Sequence, residues 1–303
     1  MSTFFQELAK KLAERWVTLL VIPGALYVAI TGVGVRLRHP HALDYTRLRA
    51  ILTDASGWIG RQPSGSQAMV AVVVLLAAAG VGLLVQAAAV VTRTVWLGLW
   101  PRLLTPLQRW RTESRQRRWL ARVGQRRTLE HAYPVANRTP EQQRRIDTAA
   151  ARVNQFALAE PGRPTWMGDR IHALEAVAMN RYGLDLEFAW PRLWLVLPET
   201  TRTEITAANA AFAAATATGT WAWPCLLLGT IWWPALLVGI GIGITGWIQA
   251  RAAVADLTGV SEAALDLYGR SLATALGVAE ADRVGPLTLD EGRQLTTLLR
   301  KGR

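Results

Sequence analysis

The chain has 303 residues, of which 51% are hydrophobic and 18% charged, with a formal net charge of +12. The charge is distributed in blocks: no Lys, Arg, Asp or Glu occurs between Trp16 and Val35, between Gln62 and Thr92, or between Ile205 and Ala250. About 20 apolar residues suffice to cross a hydrocarbon core, so these windows argue for a membrane protein, while the single Cys225 excludes an internal disulfide and a cysteine-built metal site.

Residues 1–15 predict an amphipathic interfacial helix, with Phe4, Phe5, Leu8 and Leu12 at helical spacing and Lys10, Lys11 and Arg15 on other faces. A first span follows at 16–35, with Pro23 as a kink point; Arg36 and Arg38 stand where a cleaved signal would carry small residues. Residues 36–66 read as an extracytoplasmic polar loop with a short helical pattern at Leu43, Leu48, Ile51 and Leu52. The second span, 67–92, carries Ala78 and Gly82, a small-xxx-small pair that lets another helix approach closely.

Residues 93–204 predict a basic helical cytoplasmic domain. Within 102–127 there are nine arginines against one acid, Glu113. Thr105-Pro106-Leu107-Gln108 has the form of a helix start, with Thr105 as cap and Gln108 closing a capping box. A polybasic segment directly after a span is drawn to an anionic leaflet, so Arg109, Arg111, Arg115, Arg117, Arg118 and Arg122 are assigned to anionic lipid at the cytoplasmic face rather than to nucleic acid. A second start, Thr139-Pro140-Glu141-Gln142, predicts a helix to about Leu158 with Ile146, Ala149, Ala150, Val153 and Ala157 as its apolar stripe. A third helix covers Asp169 to Arg181, with Ile171, Leu174, Val177 and Ala178 inward and Gly183 as terminator.

The segment RYGLDLEFAWPRLWLVLPE at 181–199 has an apolar part about half a spanning length, interrupted by Arg192. Pro191 at the first position of a short helix places Trp190, Leu193, Trp194 and Leu197 on one face. The segment reads as an interfacial latch, with Trp190 and Trp194 in the headgroup region or against the spans and Arg192 at the polar surface.

The third uncharged window holds two spans, 205–228 and 229–251, joined as a hairpin at Gly229-Thr230 between Trp221, Trp223, Trp232 and Trp233. Asn209, Thr216 and Thr220 share one face of the third span, which serves either as a wet pore lining in an oligomer or as a hydrogen-bonded helix interface; the interface is favoured. Gly239, Gly241, Gly243 and Gly246 give the fourth span a close-packing face. Residues 252–303 predict two cytoplasmic helices, 261–276 and 289–300, the second opened by the capping box Thr288 to Glu291. The expected fold is all-α: four transmembrane helices in two hairpin-like pairs, with the helical domain between spans two and three. With four spans, the first, third and fifth polar segments hold 29 of the 34 Lys and Arg, which places both termini on the cytoplasmic side of a bacterial inner membrane.

No catalytic constellation is present. There is no G-x-S-x-G, no Cys/His arrangement, no phosphate-binding loop, and the four histidines lack metal-ligand spacing. Glu175, Asp185 and Glu187 are the closely spaced carboxylates, read as solvated or paired with Arg170, Arg181 and Arg192. No cofactor is expected.

The stretch from Arg163, RPTWMGDRIHALEAVAMNRYGLDLEFAWPRLWLVLPE, resembles a segment of uncharacterised multi-pass membrane proteins of actinobacteria, in which R-Y-G-x-D and W-P-R-L-W-x-x-L-P precede a transmembrane hairpin. The resemblance covers about 35 residues; it implies a membrane location and this span order, and no activity. The expectation is a non-enzymatic, homo-oligomeric membrane component, acting as anchor, scaffold or pore-type effector under control of its cytoplasmic domain and a cytoplasmic protein partner. A membrane effector in a bacterial defence or stress pathway is one instance. The alternative is a channel or transporter subunit, which should show buried charge or broken helices at mid-membrane.

Overall fold

Long uncharged runs rich in Ala, Val, Leu and Gly leave the backbone no partner in an apolar medium except itself, and helices satisfy it within one segment. The computed structural model describes residues 21–280 and 285–301, and among these every regular element is helical. The predicted helix at 1–15 and the start of the first predicted span lie outside the described residues. Three helices are long and apolar enough to cross a membrane: Ser64–Trp96, Glu199–Gly229 and Trp233–Ala275; the apolar helix Ile22–Leu37 is shorter. By its contacts the chain divides into two units, residues 21–92 with 214–248, and residues 93–213 with 249–301.

The first unit begins with α1 (Ile22–Leu37), where Pro23 stands in the first turn of the described helix. Gly24 faces the carbonyl of Ala78 on α3 (Ser64–Trp96), with no room for a Cβ. The predicted small-residue pair, Ala78 and Gly82, is buried on α3, so close approach is what these residues provide. Between α1 and α3, residues 36–66 do more than the predicted loop: they form a four-turn helix, α2 (Tyr45–Gly60), capped by Asp44, which accepts from the Arg47 N–H at 3.0 Å.

The predicted hairpin is formed by α9 (Ala222–Gly229) and α10 (Trp233–Ala275), with the turn at 230–232. The turn is held to the segment after α1: the Trp232 indole donates to the Ala42 carbonyl at 3.1 Å, and His39 Nε2 lies 2.9 Å from the Thr230 carbonyl. The predicted third span is interrupted at Trp221, separating α8 (Glu199–Thr220) from α9. Large parts of these helices leave Leu, Ile and Val side chains uncovered, such as Leu76, Leu84 and Val90 on α3 and Leu237, Ile244 and Ile248 on α10. An apolar surface this extended has lipid, not water, as its matching solvent.

In the second unit, α4 (Thr105–Ala132) and α5 (Pro140–Phe156) form a helical hairpin. The predicted Thr105 cap is not made. A 3-10 turn at Arg102–Leu104 leads straight into α4, so Thr105 is itself helical, and its hydroxyl donates to the Arg102 carbonyl at 2.6 Å. Thr139 forms the predicted capping box with Gln142 and starts α5 at Pro140, and Ile146 and Val153 are its buried residues. Helix α6 (Trp166–Tyr182) begins one turn earlier than predicted because Thr165 caps it, accepting from the Gly168 N–H at 3.1 Å; Gly183, in the left-handed region at φ 65°, ends it. Its fully buried positions include Ala173 and Ala178, while Ile171, Leu174 and Val177 are half-buried.

Helix α7 (Leu186–Val196) corrects the predicted start at Pro191: Asp185 is the cap, and Pro191 lies inside the helix. The predicted separate helix at 261–276 is also corrected, because α10 continues unbroken to Ala275. Asp256, Thr258 and Gly259 offer a stop and a new start before Ser261, yet none leaves helical geometry: the Thr258 hydroxyl donates to the Val254 carbonyl at 2.9 Å within the same helix. Helix α11 (Leu289–Arg300), opened by the predicted Thr288–Glu291 box, packs beside α6 and α7. Gly292 lies under the Tyr182 carbonyl, too close for any Cβ. Tyr182, Leu184, Leu193, Leu265, Leu272 and Leu295 are central to the core of this unit. At its edge the Arg270 guanidinium, 3.1 Å from Glu291 and donating to the Pro286 carbonyl at 2.7 Å, ties α10 to the start of α11.

Candidate functional site

The second unit carries a groove of about 1090 Å³ lined by α6, α7, α8 and α10. Its position follows from how α7 is set. After Gly183 ends α6, the turn is clamped by α11: Thr296 Oγ1 donates to the Gly183 carbonyl at 2.8 Å and receives the Asp185 N–H at 3.0 Å, and Arg300 binds the Asp185 carboxylate at 2.6 Å. Leu186, Ala189, Leu193 and Leu197 then face the core. Trp190 and Trp194, one turn apart, stand on the flank of that face with ring centroids 6.5 Å apart. They form one wall of the groove, opposite Leu174 and Met179 of α6, Ile205 and Asn209 of α8, and Leu257 of α10.

Polar groups sit at the groove's margin. The His172 ring lies 3.4 Å from Glu175, and Glu187 is exposed at the first turn of α7. The expected partners of the three carboxylates are not the ones found: Asp185 takes Arg300, Glu175 takes His172, Arg181 reaches Asp266 at 3.7 Å, and Arg192 donates to the Phe188 carbonyl at 2.6 Å. Arg170 turns to Thr258 Oγ1 at 3.2 Å. Helix α7 thus bonds its own arginine back onto its first turn, so that Glu187 and the His172-paired Glu175 make this edge of the groove more acidic than basic, Arg163 being the arginine in its lining.

The predicted lipid-facing arginines divide into two groups. Arg109, Arg111, Arg117 and Arg118 are exposed along α4. Arg115 is drawn inward, pairing with Asp169 at 2.6 Å and lying over the Phe156 ring at 4.9 Å; Arg122 covers the same ring at 4.3 Å. Asp169, 4% exposed, also accepts the Arg163 N–H at 2.6 Å. Burial pushes its carboxyl above the ordinary value, and the Arg115 charge opposes that rise.

Asn209, Thr216 and Thr220, grouped by helical spacing, are separated in the structure. Asn209 is exposed in the second unit and lines the groove. Thr216 and Thr220 are buried in the first unit, where the Thr220 hydroxyl donates to the Thr216 carbonyl at 2.7 Å and lies 3.0 Å from Thr92 Oγ1, which also receives the Trp223 indole N–H at 3.2 Å. These two threonines therefore sit in a helix contact. Gly239 and Gly243 are likewise contact residues: a Cβ would meet Leu226 N at 3.0 Å and Ala222 Cβ at 3.4 Å, respectively.

Sequence reasoning missed Leu257, Thr258 and Ser261 as groove residues, because it ended the fourth span at 251 and started a new helix at 261. No family model, no curated protein and no solved structure matches this chain, so its functional reading rests on the groove and the apolar helices alone.

Proposed function

We propose that the chain is a non-enzymatic integral membrane protein of the bacterial inner membrane, a four-span anchor whose cytoplasmic helical unit docks a basic amphipathic helix of a partner protein. The observation that carries this reading is the groove: a tryptophan-walled apolar cleft with Glu175 and Glu187 on its edge. At about 1090 Å³ it exceeds the common range of small-molecule pockets and suits the i, i+3/i+4, i+7 side chains of one helix face. The acidic edge favours a cationic helix and disfavours an acidic one. In this reading the apolar window 16–35 supplies a fourth span, both termini and the polybasic α4 lie on the cytoplasmic side, and exposed Arg109, Arg111, Arg117 and Arg118 meet anionic lipid.

Burial of Thr216 and Thr220 in a helix contact favours an anchor or scaffold over a conducting pore. Gly32, Gly80 and Gly241 have open space beside them and are the small residues through which copies would associate into a homo-oligomer. The test uses the full chain in neutral-lipid nanodiscs and a labelled synthetic Leu/Lys amphipathic helix. Saturable binding is expected, with Trp190→Ala/Trp194→Ala weakening it about tenfold or more, as loss of buried aromatic anchors does. Equal binding by the variant, or ion flux through the wild type in liposomes, would overturn the anchor reading.

A further inference from the structure

A second concavity, sharing no residue with the tryptophan groove, lies between α4 and α5. It has a volume of about 860 Å³ and gathers Arg122, Arg144, Arg145 and Arg152 around Gln125, with a single acid, Glu141. Arg144, Thr148 and Arg152 follow one another at four-residue intervals, which stacks them on one face of α5. Arg122 comes from the facing helix and is pre-positioned by the Phe156 ring, 4.3 Å from its guanidinium, and by its own bond to the Arg118 carbonyl at 3.3 Å.

The one acid does little to neutralise the cleft. Glu141 pairs with Arg145 at 2.9 Å, but both side chains are more than half exposed, where such a pair is weak. Arg144 and Arg152 have no carboxylate partner among the described residues. Four like charges facing one cavity repel each other, and the arrangement is relieved by an anion that several guanidinium forks can grip at once. A carboxylate offers one planar edge; a chain of phosphates offers several oxygens in different directions, matching forks that arrive from two helices.

We propose that the cleft between α4 and α5 is a binding site for a multiply phosphorylated anion, held by Arg122, Arg144, Arg145 and Arg152. The shared chemistry is a cluster of phosphates, supplied either by a soluble polyphosphate or by a diphosphate lipid headgroup. Glu141 weakens the grip by occupying Arg145 and so sets its selectivity against weaker anions.

The test titrates inorganic tripolyphosphate into the full chain in neutral-lipid nanodiscs, and in parallel measures capture of those nanodiscs by vesicles with and without cardiolipin. One-to-one binding that weakens with salt is expected in at least one arm. Arg144→Gln/Arg152→Gln should lower that affinity about tenfold or more, since each removed charge-assisted bond is strong. Glu141→Gln should raise it a few-fold, an outcome no merely structural role would produce. Arg47→Gln/Arg49→Gln, exposed on α2 and outside both the cleft and the lipid-facing arginines, should leave binding unchanged in either arm. Binding of tripolyphosphate assigns the soluble source, and binding of cardiolipin vesicles alone, with the same variant pattern, assigns the lipid. Binding of neither probe, or equal loss in the two double variants, would overturn the proposal.

Discussion

Asp169→Asn is the most informative single change in the helical unit. It keeps shape and removes charge, so that the Arg115 guanidinium, with 16% of its side chain exposed, loses its counter-ion. Arginine cannot discharge at accessible pH. Breaking a buried pair from the acidic side costs about 3–5 kcal/mol; because burial already favours a neutral Asp169, part of this is offset, and about 1–2 kcal/mol remains, carried by the amide NH2 that Asn turns toward the Arg115 or Arg163 donors. For a unit of this size that lowers Tm by roughly 2–8 °C, readable by circular dichroism on the full chain in detergent. The reciprocal change, Arg115→Met, behaves differently, because a buried carboxylate can take up a proton. Burial already holds the Asp169 carboxyl above its ordinary value, and the Arg115 charge is the chief opposing influence. A folded value above the unfolded one means that protonation favours the folded state. The group's contribution to stability is full below about pH 4 and is lost as pH rises through the folded value. Without Arg115 that folded value climbs further, so Arg115→Met should cost distinctly less near pH 5 than near pH 8. A pH-independent loss in Arg115→Met, or a loss under about 1 kcal/mol in Asp169→Asn, would refute the pairing as a stabilising contact.

The remaining expectations probe other contacts. Burial and the Asp266 carboxylate, 2.5 Å from the Tyr182 hydroxyl, push that phenol up to about 12; its stabilising contribution is full below about pH 10 and lost as pH rises toward 12, so Tyr182→Phe should flatten the alkaline fall in Tm. Gly292→Ala drives a Cβ into the Tyr182 carbonyl and should lower Tm by several degrees, whereas Gly259→Ala, with open space beside it on α10, should be neutral or raise stability by up to about 1 kcal/mol. Thr220→Val removes a helix-to-helix hydrogen bond in the first unit and should cost about 0.5–1.5 kcal/mol, measured by thermal unfolding in detergent.

The amino-acid sequence alone determined what depends on neighbours in the chain. Uncharged runs located the three long apolar helices; Thr139 with Gln142, and Thr288 with Glu291, marked two helix starts; Gly183 marked a stop. The two caps and the stop are each decided within four residues, by a side chain reaching a nearby N–H or by a φ that glycine tolerates. Tertiary structure decided the rest. Pro191 sits inside α7 rather than at its start because Asp185, clamped by Arg300 and Thr296 from over a hundred residues away, supplies an earlier cap. Arg115 and Arg122 belong to a hairpin interior because α5 brings Phe156 and α6 brings Asp169 to them. Helical spacing put Asn209 with Thr216 and Thr220, yet one became a groove residue and the others a buried contact with Thr92, since spacing orients a side chain without naming what it meets. The tryptophan groove is of this kind, since only packing brings Leu257 of α10 into one lining with Trp190 of α7; the arginine cleft lies within a hairpin of successive helices, yet it too needs α4 and α5 to pack before Arg122 and Arg152 share a cavity.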